Sequence, residues 1–114
     1  MKSPNNLALP FALALALSPA TSHAQLTYDQ AVAYCKSLGE MARAAMEQRQ
    51  KGVTLEEQLA ALQSMENEHF EQLGAKLVGA AYEKTAYTDP ASQKRAIEDF
   101  RNEYEHACYK LYVK

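Results

Sequence analysis

The chain has no tryptophan, only four glycines and only two cysteines among its 114 residues. Each scarcity excludes something. No glycine-rich run is present, so no loop can cradle a phosphate with its backbone. No serine stands in a G-x-S-x-G setting, so the strained nucleophile turn of the α/β-hydrolases is missing. Cys35 and Cys108 lie far apart in the chain, which rules out a C-x-x-C redox pair. Runs of alternating apolar and polar residues, the mark of strands, are absent. After residue 24 no long apolar run occurs, and a bilayer span needs about 20 such residues. Neither sign of charge dominates, with 12 Lys and Arg against 14 Asp and Glu. A weakly acidic, evenly mixed surface argues against nucleic acid or an anionic membrane as partner.

What is present begins with a targeting segment. Lys2 supplies a basic start, Leu7 to Leu17 is an unbroken apolar run, and Ser22-His23-Ala24 fits the small-x-small cleavage pattern. Residues 1–24 therefore read as a secretory signal peptide, with a second cleavage site possible after Ala20. The apolar run is too short for a membrane anchor. Cleavage after Ala24 removes one base and no acid, leaving residues 25–114 as a single exported domain. A chain this short buries only about 60–65% of its unfolded surface. A covalent staple would help it.

Helical periodicity runs through that domain. Thr27 with Gln30 forms a capping box, with Leu26 placed to staple onto Ala31. Ala31, Cys35, Leu38, Ala42, Ala45 and Met46 then recur on one face, with Glu40, Ala44 and Glu47 opposite, and Gly52 suits a left-handed cap. Thr54 with Glu57 is a second capping box before Leu55, Leu59 and Leu62. Phe70, Leu73, Leu77, Ala80 and Ala81 make a further stripe. No Gly or Pro separates it from Leu62, so one long helix or two are open; a break between Ser64 and Asn67 suits a bundle better. Asp89 and Pro90 start a last helix, whose inward face reads as Ile97, Phe100, Tyr104, Cys108 and Leu111. Gly39 and Gly74, inside helices beside apolar stripes, suit close helix approach. The expected fold is all-α, a small three- or four-helix bundle.

Both cysteines fall on apolar stripes, near the start of the first helix and the end of the last. In an exported chain they read as one disulfide, Cys35–Cys108. Reduced, packed thiols and pairing between chains are the alternatives.

Candidate chemistry is thin. Glu66-x-x-His69 and Glu103-x-x-His106 have the spacing used by di-iron bundles. At about 100° per residue, however, His106 points away from the Ile97–Cys108 stripe, and the two pairs cannot converge. No catalytic residue, metal ligand or cofactor is expected. On the outer face of the last helix, Tyr109 and Val113 lie one turn apart beside His106. This is the candidate partner-binding face, because exposed aromatics are enriched at protein interfaces.

The spacing Cys35-x-x-x-Gly39-x-x-Ala42, then Arg49-Gln50-Lys51-Gly52-Val53, Ala81-Tyr82, Phe100 and Cys108 resembles a broad group of small exported bacterial proteins with no assigned function. The resemblance implies a helical periplasmic or secreted protein and nothing about activity. The function expected from the residues is a protein-binding accessory or inhibitor, monomeric or weakly dimeric. An immunity protein against a periplasmic toxin, a periplasmic stress chaperone and, last, an enzyme are the alternatives.

Overall fold

Thr27 Oγ1 accepts the Gln30 N–H at 3.1 Å while Gln30 Oε1 accepts the Thr27 N–H at 2.9 Å. This reciprocal cap starts helix α1, Tyr28–Lys51. The computed structural model describes residues 25–113; the segment read as a signal peptide, residues 1–24, lies outside them. Gly52 ends α1 with φ 90°, a left-handed conformation that glycine adopts without a Cβ penalty. The Thr54–Glu57 box then starts α2, Leu55–Leu62. Asn67 caps α3, Glu68–Tyr82, and Asp89 with Pro90 starts α4, Pro90–Tyr112.

The chain does break between α2 and α3. After Leu62, Gln63, Ser64 and Met65 each donate to the carbonyl three residues back, and the Ser64 hydroxyl takes the Ala61 carbonyl at 2.8 Å. Asn67 Oδ1 then accepts the Phe70 N–H at 3.0 Å and opens a new helix. Side chains that compete for backbone partners replace the missing Gly or Pro as the stop signal. Glu66 is turned out to solvent.

Helix α1 is the centre of the fold. Helix α4 lies along it, α3 packs on it as well, and α2 leans chiefly on α3. The core joins Ala42, Ala45 and Met46 of α1 to Leu77, Val78 and Ala81 of α3 and Phe100 of α4. No residue of α2 is fully buried; Leu55, Leu59 and Leu62 are half-buried against the core.

Helices α1 and α4 run antiparallel, since Cys35 meets Cys108 and Gly39 meets Glu105. The disulfide is formed, with Cα atoms 5.5 Å apart and both residues buried. One turn further on, a Cβ added at Gly39 would lie 2.5 Å from Glu105 Oε1 and 3.1 Å from Glu105 Cβ. A Cβ at Gly74 would lie 2.8 Å from Leu62 Cδ2. Both glycines thus set helix spacing, at a cost in helix propensity of about 1 kcal/mol each.

The other end of α1 holds the loop between α3 and α4. Arg49 donates Nη2 to the Lys84 carbonyl at 2.9 Å, with its guanidinium 4.8 Å from the Tyr82 ring centre. Gln50 is the only buried polar side chain among the described residues. Its Nε2 donates to the Thr85 carbonyl at 2.9 Å and its Oε1 accepts the Tyr87 N–H at 2.8 Å. The Tyr82 hydroxyl in turn donates to the Val53 carbonyl. Most of the spaced pattern quoted above thus has a structural task here. Cys35 and Cys108 form the staple, Gly39 the close approach, Arg49 and Gln50 the loop latch, Gly52 the cap, and Ala42, Ala81 and Phe100 the core.

Two expectations fail at the disulfide end. Leu111 is 67% exposed, not part of the inward face, and Leu26 is 46% exposed, not closed over Ala31 as a staple. Helix α3 begins only at the level of Tyr34, where His69 and Phe70 meet the Tyr34 ring. Beyond it, among the described residues, no third helix covers the first turn of α1 or the last turn of α4.

Candidate functional site

The outer face of α4 is less open than its sequence suggests. His106 is exposed, but Tyr109 and Val113 are both half-buried, which corrects the expectation that they project freely into solvent. The Tyr109 hydroxyl donates to Glu105 Oε2 at 2.7 Å. That hydrogen bond, then burial and the Glu105 charge, raise the Tyr109 pKa above its ordinary value, with the Arg101 charge opposing. Val113 closes the helix, its N–H reaching the Tyr109 carbonyl at 2.9 Å. The reason lies at Gly39, which draws the Glu105 side of α4 onto α1 and brings Tyr109 with it.

That contact is charged. Arg101 Nη2 stands 3.3 Å from Glu105 Oε1, and Arg101 Nε stands 3.3 Å from Glu40 Oε2. The distances suit ion pairs, yet Arg101 Nε and Glu105 Oε1 are both buried without a well-aligned hydrogen bond. A pair on a half-open face contributes little to stability. The recess beside it, formed by Arg101, Asn102, Glu105, His106 and Tyr109, is polar and shallow.

The two Glu-x-x-His motifs point apart. Glu66 lies in the turn before the Asn67 cap, so its spacing to His69 is not a helical one. His69 Nε2 lies 3.1 Å from the Tyr34 hydroxyl, tying the start of α3 to α1. Tyr112 packs edge-on against the same Tyr34 ring, with centres 5.5 Å apart. Burial, then the neighbouring Tyr112, raise the Tyr34 pKa. His106 stands on α4, away from this corner. Among the described residues no three His, Cys, Asp or Glu side chains gather to a common point.

A concave feature that sequence reading missed lies between α1, α2 and α3. Helix α2 leans on α3 and touches α1 only weakly, so a groove stays open along the α1 side of α2. Its floor and walls include Met41, Ala44, Ala45, Leu62, Met65 and Val78, and its volume is about 330 Å³. Pockets that hold ligands start near ~300 Å³. Gln48, Glu57 and Gln58 are the polar residues on its edge. Gln58 is held in place, donating to the Ala45 carbonyl at 3.0 Å, and Glu57 is fixed by the Thr54 cap, which lowers its pKa.

A signal for this groove exists in the sequence, although the stripe pattern hides it. Ala44, Ala61 and Gly74 are small where three helices face one another, and an eight-residue α2 is too short to fill the gap they leave. Ala44 is exposed on the outer face of α1, as the periodicity predicts, and that outer face is the mouth of the groove. The chain matches no protein-family model, no curated protein and no solved structure.

Proposed function

We propose that this chain is an exported protein-binding accessory or inhibitor, freed of residues 1–24 and acting as a monomer or weak dimer, whose partner inserts apolar side chains into the groove between α1, α2 and α3. The observation that carries this reading is the groove itself. It is apolar, open at the surface and edged by fixed polar groups, the usual arrangement of a binding cleft. The buried disulfide suits an oxidising compartment. No helix among the described residues is long and apolar enough to cross a membrane. The His106, Tyr109 and Val113 face offers a partner less, because Tyr109 and Val113 are already half covered.

The test is a filled groove. Ala44→Trp with Ala61→Trp adds bulk at two exposed positions, so helix content and the melting curve are expected to hold. Native protein is expected to capture a partner from an extract of exported proteins that the filled variant does not. Purified, that partner should rebind native protein one-to-one. A partner retained equally by the variant would place the contact elsewhere.

A further inference from the structure

We infer that the groove takes a cationic amphipathic segment of a partner protein, bound by its apolar side chains below and by the acidic rim above; this rests on the groove being the binding site. The charge of the chain is not evenly mixed in space. From Gly52 to Ala75 the sequence holds five glutamates, Glu56, Glu57, Glu66, Glu68 and Glu71, and no lysine or arginine. This stretch is α2, the turn after it and the first half of α3; of its glutamates Glu57 lines the groove, and Glu56 and Glu66 stand next to lining residues in the chain. Glu56, Glu57, Glu66 and Glu68 are exposed, and Glu66 directly follows the groove residue Met65. None of the four forms an ion pair within the described residues. No lysine or arginine lines the groove.

An uncompensated acidic rim beside an apolar cleft selects its occupant by charge. An anionic lipid head group or an acidic peptide would be repelled, whereas lysines flanking an apolar face would be drawn in and oriented. The cleft is small, with room for a few anchoring side chains and not for a folded surface. That size fits an amphipathic helix laying its i, i+3, i+4 and i+7 residues into a groove. Met41 of α1 and Met65 after α2 both line it, and unbranched thioether chains repack around different anchors.

Two labelled peptides test the assignment by fluorescence anisotropy. One is an amphipathic helix of about five turns with leucines on one face and lysines on the other; its twin carries glutamates in place of the lysines. The native chain is expected to bind the lysine peptide and not the twin, more weakly as salt rises. Glu66→Gln with Glu68→Gln, both exposed, should weaken that binding about fivefold with the melting curve unchanged. Filling the groove with Ala44→Trp and Ala61→Trp should abolish it. Equal binding of both peptides, lost on filling, overturns the charge assignment and leaves the groove reading standing. Binding of the lysine peptide that survives filling overturns the site. Failure of both peptides to bind overturns the partner class, while the groove reading is then decided by capture of a natural partner.

Discussion

The Glu105 carboxylate rests on the bare backbone of Gly39, so close that a Cβ there would stand 2.5 Å from Oε1. The Cys35–Cys108 bond pins the helices one turn away and limits how far α4 can withdraw. Gly39→Val is therefore expected to destabilise the fold by about 2 kcal/mol, an overpacking cost. Gly79, also inside a helix, has nothing within 4 Å of an added Cβ. Gly79→Ala should stabilise by about 0.5–1 kcal/mol through helix propensity and a less flexible unfolded chain. Urea unfolding of the two variants gives opposite signs if the helix spacing is as described.

The staple joins residues 73 apart, and the chain-entropy relation gives about 4 kcal/mol for a loop of this length. Reduction, or Cys35→Ser with Cys108→Ser, is expected to lower the unfolding free energy by an amount of that order. Non-reducing peptide mapping should find both cysteines in one cross-linked pair within a monomer. Free thiols, or a linkage between chains, would contradict the fold.

Gln50 satisfies two backbone groups of the α3–α4 loop at once, the Thr85 carbonyl and the Tyr87 N–H. Gln50→Ala leaves both without that partner and opens a small void beside Met46. A loss of about 1–3 kcal/mol is expected. Hydrogen exchange should localise the faster opening to the Tyr87 amide and its neighbours, with the α1–α4 contact near Cys108 unaffected. Uniform loosening of the whole chain would show that the latch acts globally.

Asp89 accepts the Ser92 N–H at 2.9 Å, and this hydrogen bond lowers its pKa below the ordinary aspartate value. A carboxylate with a depressed folded pKa stabilises above its unfolded pKa, and that contribution is lost as pH falls through the folded value. The melting temperature should therefore fall as pH drops below about 4. Asp89→Asn keeps a capping oxygen without the charge and should flatten that part of the profile. An unchanged slope in Asp89→Asn would assign the acid sensitivity to other carboxylates, with Glu57 next through its Thr54 cap.

Local chemistry made much of this fold readable in the chain. Thr27, Thr54 and Asp89 cap three of the described helices through hydrogen bonds that span three residues, and Gly52 ends the first through its own backbone freedom; the Asn67 cap, with no Gly or Pro before it, is not legible in the same way. The stripe from Ala31 to Met46 and the placement of both cysteines on apolar faces follow from periodicity alone. Such signals are written within one or two turns, so no tertiary knowledge is needed to see them.

What only the tertiary structure decided is how the helices are rotated and where their surfaces go uncovered. Periodicity places Leu111 in line with Cys108, yet it is exposed, because coverage depends on where α3 begins. Periodicity places Tyr109 outward, yet Gly39 lets α4 sink on its Glu105 side and half buries it. The groove arises from the same cause. A helix stripe states which side seeks burial, but whether a neighbour reaches it is set by the length and lean of that neighbour, here the short α2. The sequence by itself determined the helical stripes and the caps at Thr27, Thr54 and Asp89, through contacts near in the chain; three-body packing brought together two cysteines 73 residues apart and decided the faces left for a partner.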